Sequence, residues 1–89
     1  MKFTLRQLQI FLAVAKYQNI SRAAQSLHMS QSAASEALLT LEHTYDVRMF
    51  DRTGNKLALT AIGHTLRKEA ENLLAHCQDF EATLMDGKS

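Results

Sequence analysis

Gln31, Ser32, Ser35 and Glu36 bring an amide, two hydroxyls and a carboxylate together in the stretch SQSAASE that begins at Ser30. Side chains of these types have hydrogen-bonding partners on the base-pair edges of a DNA major groove. The element that would present them is written into the same residues. Ser30 is a good N-cap for a helix starting at Gln31, and Ala34, Leu38, Leu41 and Tyr45 recur at helical spacing to make one apolar face. At about 100° per residue, Ser32, Glu36 and His43 point away from that stripe, with Gln31 and Ser35 beside them near the helix start. The small hydrogen-bonding side chains thus sit in the first turns. Those are the turns of a recognition helix that meet base edges, and its capped end can approach a phosphate.

A second helix is expected just before it. Ser21 can cap a short helix from Arg22 to about Leu27, whose apolar positions Ala23, Ala24 and Leu27 are mostly small enough for close helix crossing. His28, Met29 and Ser30 form the turn, and two helices joined so tightly have helix-turn-helix geometry. The same spacing suits an ordinary αα-hairpin in a helical bundle, so the following segment matters. Residues 48 to 60, RMFDRTGNKLALT, break helical periodicity. Thr53, Gly54 and Asn55 form a turn cluster between Met49 and Phe50 on one side and Leu57 and Leu59 on the other, which reads as a short hairpin. Arg52 and Lys56 flank its tip. Taken alone this is equally a solvated loop; placed after a recognition helix it reads as a wing, able to touch phosphates or reach a minor groove.

The order of helix, helix-turn-helix, basic hairpin and long helix carries a resemblance. With LRQLQIF at 5 to 11, SRAAQSLHMSQSAAS at 21 to 35, LE at 41 to 42 and VRMFDRTGNKLALTAIG at 47 to 63, nearly the whole chain resembles the N-terminal domain of LysR-type transcriptional regulators. The resemblance implies sequence-specific binding to an interrupted inverted-repeat promoter site as a dimer or higher oligomer. It also implies a linker helix pairing antiparallel with its copy, and a larger effector-binding domain beyond that helix, after this chain ends. Through that domain a full-length protein would take a small-molecule inducer, and a full-length protein could form a tetramer. Two departures lie on the reading face: family members often have Pro where this chain has Ser32, and Arg where it has Glu36. A carboxylate accepts from the N4 amino group of cytosine where Arg would donate to guanine, so altered base preference is expected rather than lost binding. Asp46 stands where the family commonly has Gly, and Asp tolerates a left-handed backbone.

Eighty-nine residues make one small domain, which buries only about 60 to 65% of its unfolded surface and is marginal without a partner. No run of eighteen apolar residues and no signal peptide are visible, so a cytoplasmic protein with no membrane association is expected. A single Cys fits a reducing compartment. The net charge of +1 hides a segregation by segment. Residues 1 to 60 carry seven Lys and Arg against four Asp and Glu, a net +3, while residues 61 to 89 carry three against five, a net −2. The basic part can face phosphates while the acidic part stays away from them, and so few cations make tight binding depend on two or more subunits sharing a site.

The outer helices read as scaffold and as dimerisation element. Thr4 and Gln7 make a capping box, with Leu5, Leu8, Leu12 and Ala15 on one face widened by Phe11, and Asn19 helps end the helix. Thr60 can cap a last helix running to about Met85. In it Ile62, Leu66, Ala70, Leu73, Cys77, Phe80 and Leu84 recur at spacings of 4, 4, 3, 4, 3 and 4, close to a heptad seam for homodimerisation. Such a helix either pairs with a copy or folds back on its own domain. Cys77 on the seam is expected to be a packed small hydrophobe.

His28, His43, His64 and His76 are scattered, with no HExxH or paired CxxC spacing and no Gly-rich phosphate loop, so neither an enzyme, a metal site nor a cofactor is expected. A helical protein-interaction module with no DNA binding is the alternative from another class. The reading that unites these features is mainly α: a winged helix-turn-helix of three helices and a short β-hairpin over 1–60, followed by a long dimerisation helix over 61–89. Gln31, Ser32, Ser35 and Glu36 are the candidates for base contacts on double-stranded DNA, and Ser21, Arg22, Ser30, Arg52 and Lys56 for phosphate or wing contacts.

Overall fold

The computed structural model describes residues 1–54 and 56–87. Asn55 of the expected turn, and Lys88 and Ser89 of the expected last segment, lie outside the described residues. Thr4 opens α1 (Leu5–Tyr17) with the expected capping box: its hydroxyl accepts from the Gln7 N–H at 3.1 Å, and the Gln7 side chain accepts from the Thr4 N–H at 2.9 Å. Gln18, left-handed at φ 54°, ends α1.

Asn19 therefore does not terminate α1. It caps α2 (Ile20–Ser26), its side-chain oxygen accepting from the Arg22 N–H at 2.9 Å. Ser21, expected as that cap, is instead the second residue of α2. Asn caps as well as Ser, and starting two residues earlier lets Ile20 join the core. A left-handed His28 (φ 57°) then turns the chain into Ser30, which caps α3 (Gln31–Tyr45) as expected by accepting from Ala33 N–H at 3.1 Å. Asp46 closes α3 at φ 52°, the conformation its side chain tolerates.

The hairpin consists of β1 (Phe50–Thr53) and β2 (Lys56–Leu59), antiparallel, with Phe50 opposite Leu59 and Thr53 opposite Lys56. Gly54, at φ 63°, takes the turn conformation that suits glycine. Two ties fix the wing to the rest. The Leu57 N–H donates to the Gln18 carbonyl at 3.1 Å, and the Glu42 carboxylate accepts from the Met49 N–H at 2.7 Å. Thr60 then caps α4 (Ala61–Asp86), its hydroxyl accepting from Gly63 N–H while donating to the Arg48 carbonyl at 2.7 Å.

One core joins all these elements. Ala23 and Ala24 of α2 and Ala34 of α3 are all buried in it, and side chains no longer than a methyl at these positions permit a close helix crossing. Leu38 and Leu41 of α3, Met49, Phe50 and Leu57 of the wing, and Ala70 of α4 complete it, with Phe11 and Phe50 edge to face at 5.6 Å. Of the expected face of α1, Leu5, Leu8, Leu12 and Ala15 widened by Phe11, only Phe11 and Ala15 are buried, joined by Ile10 and Val14; Leu5 is exposed, and Leu8 and Leu12 are half-buried. Every residue from Ile10 to Ala15 is apolar, so periodicity selects no face there; the surrounding elements do. Tyr45, expected on the apolar stripe of α3, is exposed, and its hydroxyl accepts from the Lys2 N–H.

α4 divides into two parts. Ala70 is 3% exposed within the chain's own core and Leu66 packs against it, so this stretch of the expected seam is already used internally. Beyond it the helix runs outward and makes the molecule 52 Å long against 25 and 20 Å across. Ile62, Leu73, Phe80 and Leu84 of the seam remain exposed, and Cys77 is half-buried. Among the described residues, no helix is long and apolar enough to cross a membrane.

Candidate nucleic-acid interface

The residues singled out for recognition converge at the start of α3. Gln31, Ser32 and Glu36 are exposed and Ser35 is half-buried, while Ala34 and Leu38 on the opposite face lie in the core. The Ser30 and Ser32 hydroxyls are 3.4 Å apart, so the cap and the second residue of the helix form one polar cluster. Glu36 has no described hydrogen bond, which leaves its carboxylate free to accept from an external donor.

Beside this helix end lies a cleft of about 350 Å³ lined by Asn19, Ile20, Ser21, Gln31, Arg52, Gly54, Lys56 and Leu57. Its walls come from α2, from the first residue of α3 and from both strands of the wing. The Leu57 to Gln18 hydrogen bond holds the wing at this distance from the helix pair. Four residues named from sequence therefore meet here: Ser21, Gln31, Arg52 and Lys56. Arg22, Ser30, Ser32, Ser35 and Glu36 do not line it.

Charge favours an anion in this cleft. Arg52 and Lys56 both border it and both are exposed, and no carboxylate lies among its lining residues. The neighbouring ion pair, Arg48 with Asp51 at 3.0 Å, engages the wing's own carboxylate away from Arg52. That pair is highly exposed and adds little stability. Sequence reasoning missed two members of the arrangement. Asn19 was read as a helix terminator, although a good cap three residues before a donor N–H was the available signal. The contact from Ser21 on α2 to Gln31 on α3, 2.7 Å from hydroxyl to amide oxygen, joins residues ten apart and has no local signature. Among the described residues, no group of three or more His, Cys, Asp or Glu comes together to hold a metal ion.

A cleft walled by a helix pair and a basic hairpin, with the second helix offering polar first turns, is what a winged helix-turn-helix presents. The comparison that decides the family is with the bacterial regulatory helix-turn-helix proteins of the LysR family, whose model matches residues 5–64. The chain belongs to the LysR family.

LysR-family relatives agree over more of its length. The probable RuBisCO transcriptional regulator of Phaeodactylum tricornutum is 38% identical over 87 residues, 98% of this chain and 28% of that protein. The chain thus spans about a quarter of the length of the curated relatives it matches. Among solved structures, the DNA complex of the CbnR DBD superposes with a TM-score of 0.89 at 29% identity, covering 98% of this chain and 100% of that one. Vibrio fischeri DarR, solved in complex with DNA, gives a TM-score of 0.89 at 29% identity, over 97% of this chain and 30% of that one. The four helices, the last of them long, and the two-stranded hairpin are therefore the LysR-family architecture, as the sequence led us to expect.

Proposed function

We propose that this chain is the sequence-specific DNA-binding domain of a LysR-type transcriptional regulator, acting in the cytoplasm as a homodimer on an interrupted inverted repeat. The observation that carries this reading is the joining of exposed polar turns of α3 to a cleft bordered by Arg52 and Lys56. The likeness to proteins solved with DNA bound supports it. The first turns of α3 enter the major groove, where Gln31, Ser32, Ser35 and Glu36 face base edges. Arg22, Ser30, Arg52 and Lys56 hold the sugar-phosphate backbone and set the register of the helix in the groove.

The reader comprises residues 1–60 together with the first turns of α4 that complete its core, and the rest of 61–89 pairs two copies. An inducer, and assembly to a tetramer, belong to the domain that LysR-type regulators carry beyond this segment. Three cations per subunit at phosphates, Arg22, Arg52 and Lys56, make about six in a dimer. The expected slope of log affinity against log salt is then about −5, a loss on the order of 10³ between 50 and 200 mM. Fluorescence anisotropy with duplex DNA across that range tests the proposal; affinity indifferent to salt, or no binding at low salt, contradicts it.

Two substitutions probe the parts separately. Arg52→Ala should weaken specific and nonspecific duplexes alike, because a phosphate or groove-width contact carries little base information. Equal affinity of variant and parent for both duplexes at low salt would show that the wing does not touch DNA. Glu36→Arg exchanges an acceptor for a donor and should change base preference at one position of each half-site by about 1 to 3 kcal/mol. The check is competition among operator variants differing at single positions; a higher affinity with an unchanged ranking means that Glu36 reads nothing.

A further inference from the structure

Ser21 and Gln31 form the one side-chain hydrogen bond described between α2 and α3: the Ser21 hydroxyl donates to the Gln31 amide oxygen at 2.7 Å. Its geometry follows from position. A Ser or Thr inside a helix usually bonds back to a carbonyl of the preceding turn, as Ser26 does to Ala23, Thr44 to Thr40 and Thr83 to Asp79. Ser21 is the second residue of α2 and has no helical turn behind it, so its hydroxyl is free to cross to the neighbouring helix. Both helices are anchored in the shared core, where Ala23, Ala24 and Ala34 are buried.

We propose that Ser21 is a positioning residue that fixes the orientation of the Gln31 amide and thereby its base preference; the inference rests on the DNA-binding reading above. An amide has one oxygen that accepts and one NH2 that donates. With the oxygen held by Ser21, the NH2 group faces outward. Paired recognition of adenine requires the oxygen to accept from the N6 amino group while the NH2 donates to N7. The bond to Ser21 turns that oxygen toward α2, so the oxygen and the NH2 no longer face one base side by side as the pair requires. The outward NH2 instead donates best to O6 and N7 of guanine or O4 of thymine, whereas adenine sets its N7 acceptor beside an N6 amino group that also donates. Gln31 in this chain is therefore a reader of keto bases, and α2 sets its preference without itself touching a base.

The test is selection of bound duplexes from a random pool, with affinities for a nonspecific duplex measured beside it. The parent chain should show guanine or thymine at one position per half-site. Ser21→Ala, which suits a helix, should relax discrimination against adenine at that position by roughly tenfold, read as the ratio of affinities for duplexes that differ at that base alone. Ser21→Thr should restore the parent profile, and Gln31→Glu, which leaves only acceptors, should move the preference to cytosine or adenine. A Ser21→Ala variant that loses affinity for every duplex equally, with its base profile intact, makes Ser21 a phosphate contact and overturns the proposal. An unchanged profile with unchanged affinity overturns it as well. A parent chain that binds no duplex overturns the DNA-binding reading itself, and the proposal with it.

Discussion

Replacing Leu73 and Phe80 together by Asp is expected to dissociate the dimer while leaving the winged domain folded. Leu73 is 40% exposed and Phe80 68% exposed in the single chain, so in the monomer both carboxylates reach water. In a dimer that pairs α4 with its copy they lie in an apolar contact, where an unpaired charge is costly. The surface they belong to is extensive. Leu73 borders an apolar groove of about 550 Å³ lined also by Phe3, Leu8, Tyr45, Val47 and Leu66, and the distal helix adds Leu84 and Met85. Loss of pairing removes the gain from joining two weak half-site contacts, so affinity for a two-half-site operator should fall by a factor on the order of 10² to 10⁴. Sedimentation equilibrium and operator binding, with thermal unfolding as a control, give the answer. A parent chain that is monomeric at micromolar concentration, or a double variant that still dimerises, excludes this face of α4 as the interface.

Gly63→Ala is expected to destabilise the domain by roughly 2 to 3 kcal/mol, the upper range for overpacking a core. A Cβ at Gly63 collides with the Met49 carbonyl oxygen and meets a Leu59 methyl at 3.0 Å. The obstacle is backbone and cannot rotate away. That carbonyl accepts from Thr60 N–H at 3.0 Å, and the Met49 N–H is held by the Glu42 carboxylate, so moving it disturbs the base of the wing and the start of α4 together. Helix propensity acts in the opposite direction, because Ala is better than Gly inside a helix by about 1 kcal/mol. The sign of the change in urea denaturation midpoint therefore decides between the two effects. A more stable Gly63→Ala variant would mean that the close approach of α4 to Met49 is not rigid.

Most of this architecture was legible because its signals are local. Ser30, Thr4 and Thr60 each cap the helix expected of them, and Gly54 between two short apolar runs marked the hairpin. What escaped was decided between elements. Ser21 and Asn19 are both good caps two residues apart, and only the burial of Ile20 selects Asn19. The apolar run of α1 gives no unique face until α2, α3, β2 and α4 surround it. Nothing local marks the task of Gly63, whose missing Cβ is what lets α4 approach Met49. The heptad-like seam mixed two surfaces, since Leu66 and Ala70 serve the domain's own core while Phe80 and Leu84 face solvent. Glu42 was quoted from sequence as part of a pattern; its task, accepting from the Met49 N–H, lies seven residues away.

At the proposed interface, identities were readable and relations were not. Gln31, Ser32 and Glu36 are exposed on the first turns of α3, where helical spacing put them. That Arg52 and Lys56 share a cleft with Ser21 and Gln31 depends on the bond from Leu57 N–H to the Gln18 carbonyl, a contact between residues far apart in the chain.

The most direct test of the DNA-binding face is amide chemical-shift mapping of the labelled chain titrated with duplex DNA recovered by selection. Perturbations should cluster at Ser21 and Arg22, at Ser30 to Glu36, and at Arg52 and Lys56, the segments that meet around the start of α3 and the wing. A spectrum unchanged at stoichiometric DNA, or shifts that bypass residues 30 to 36 and appear only along α4, would contradict it.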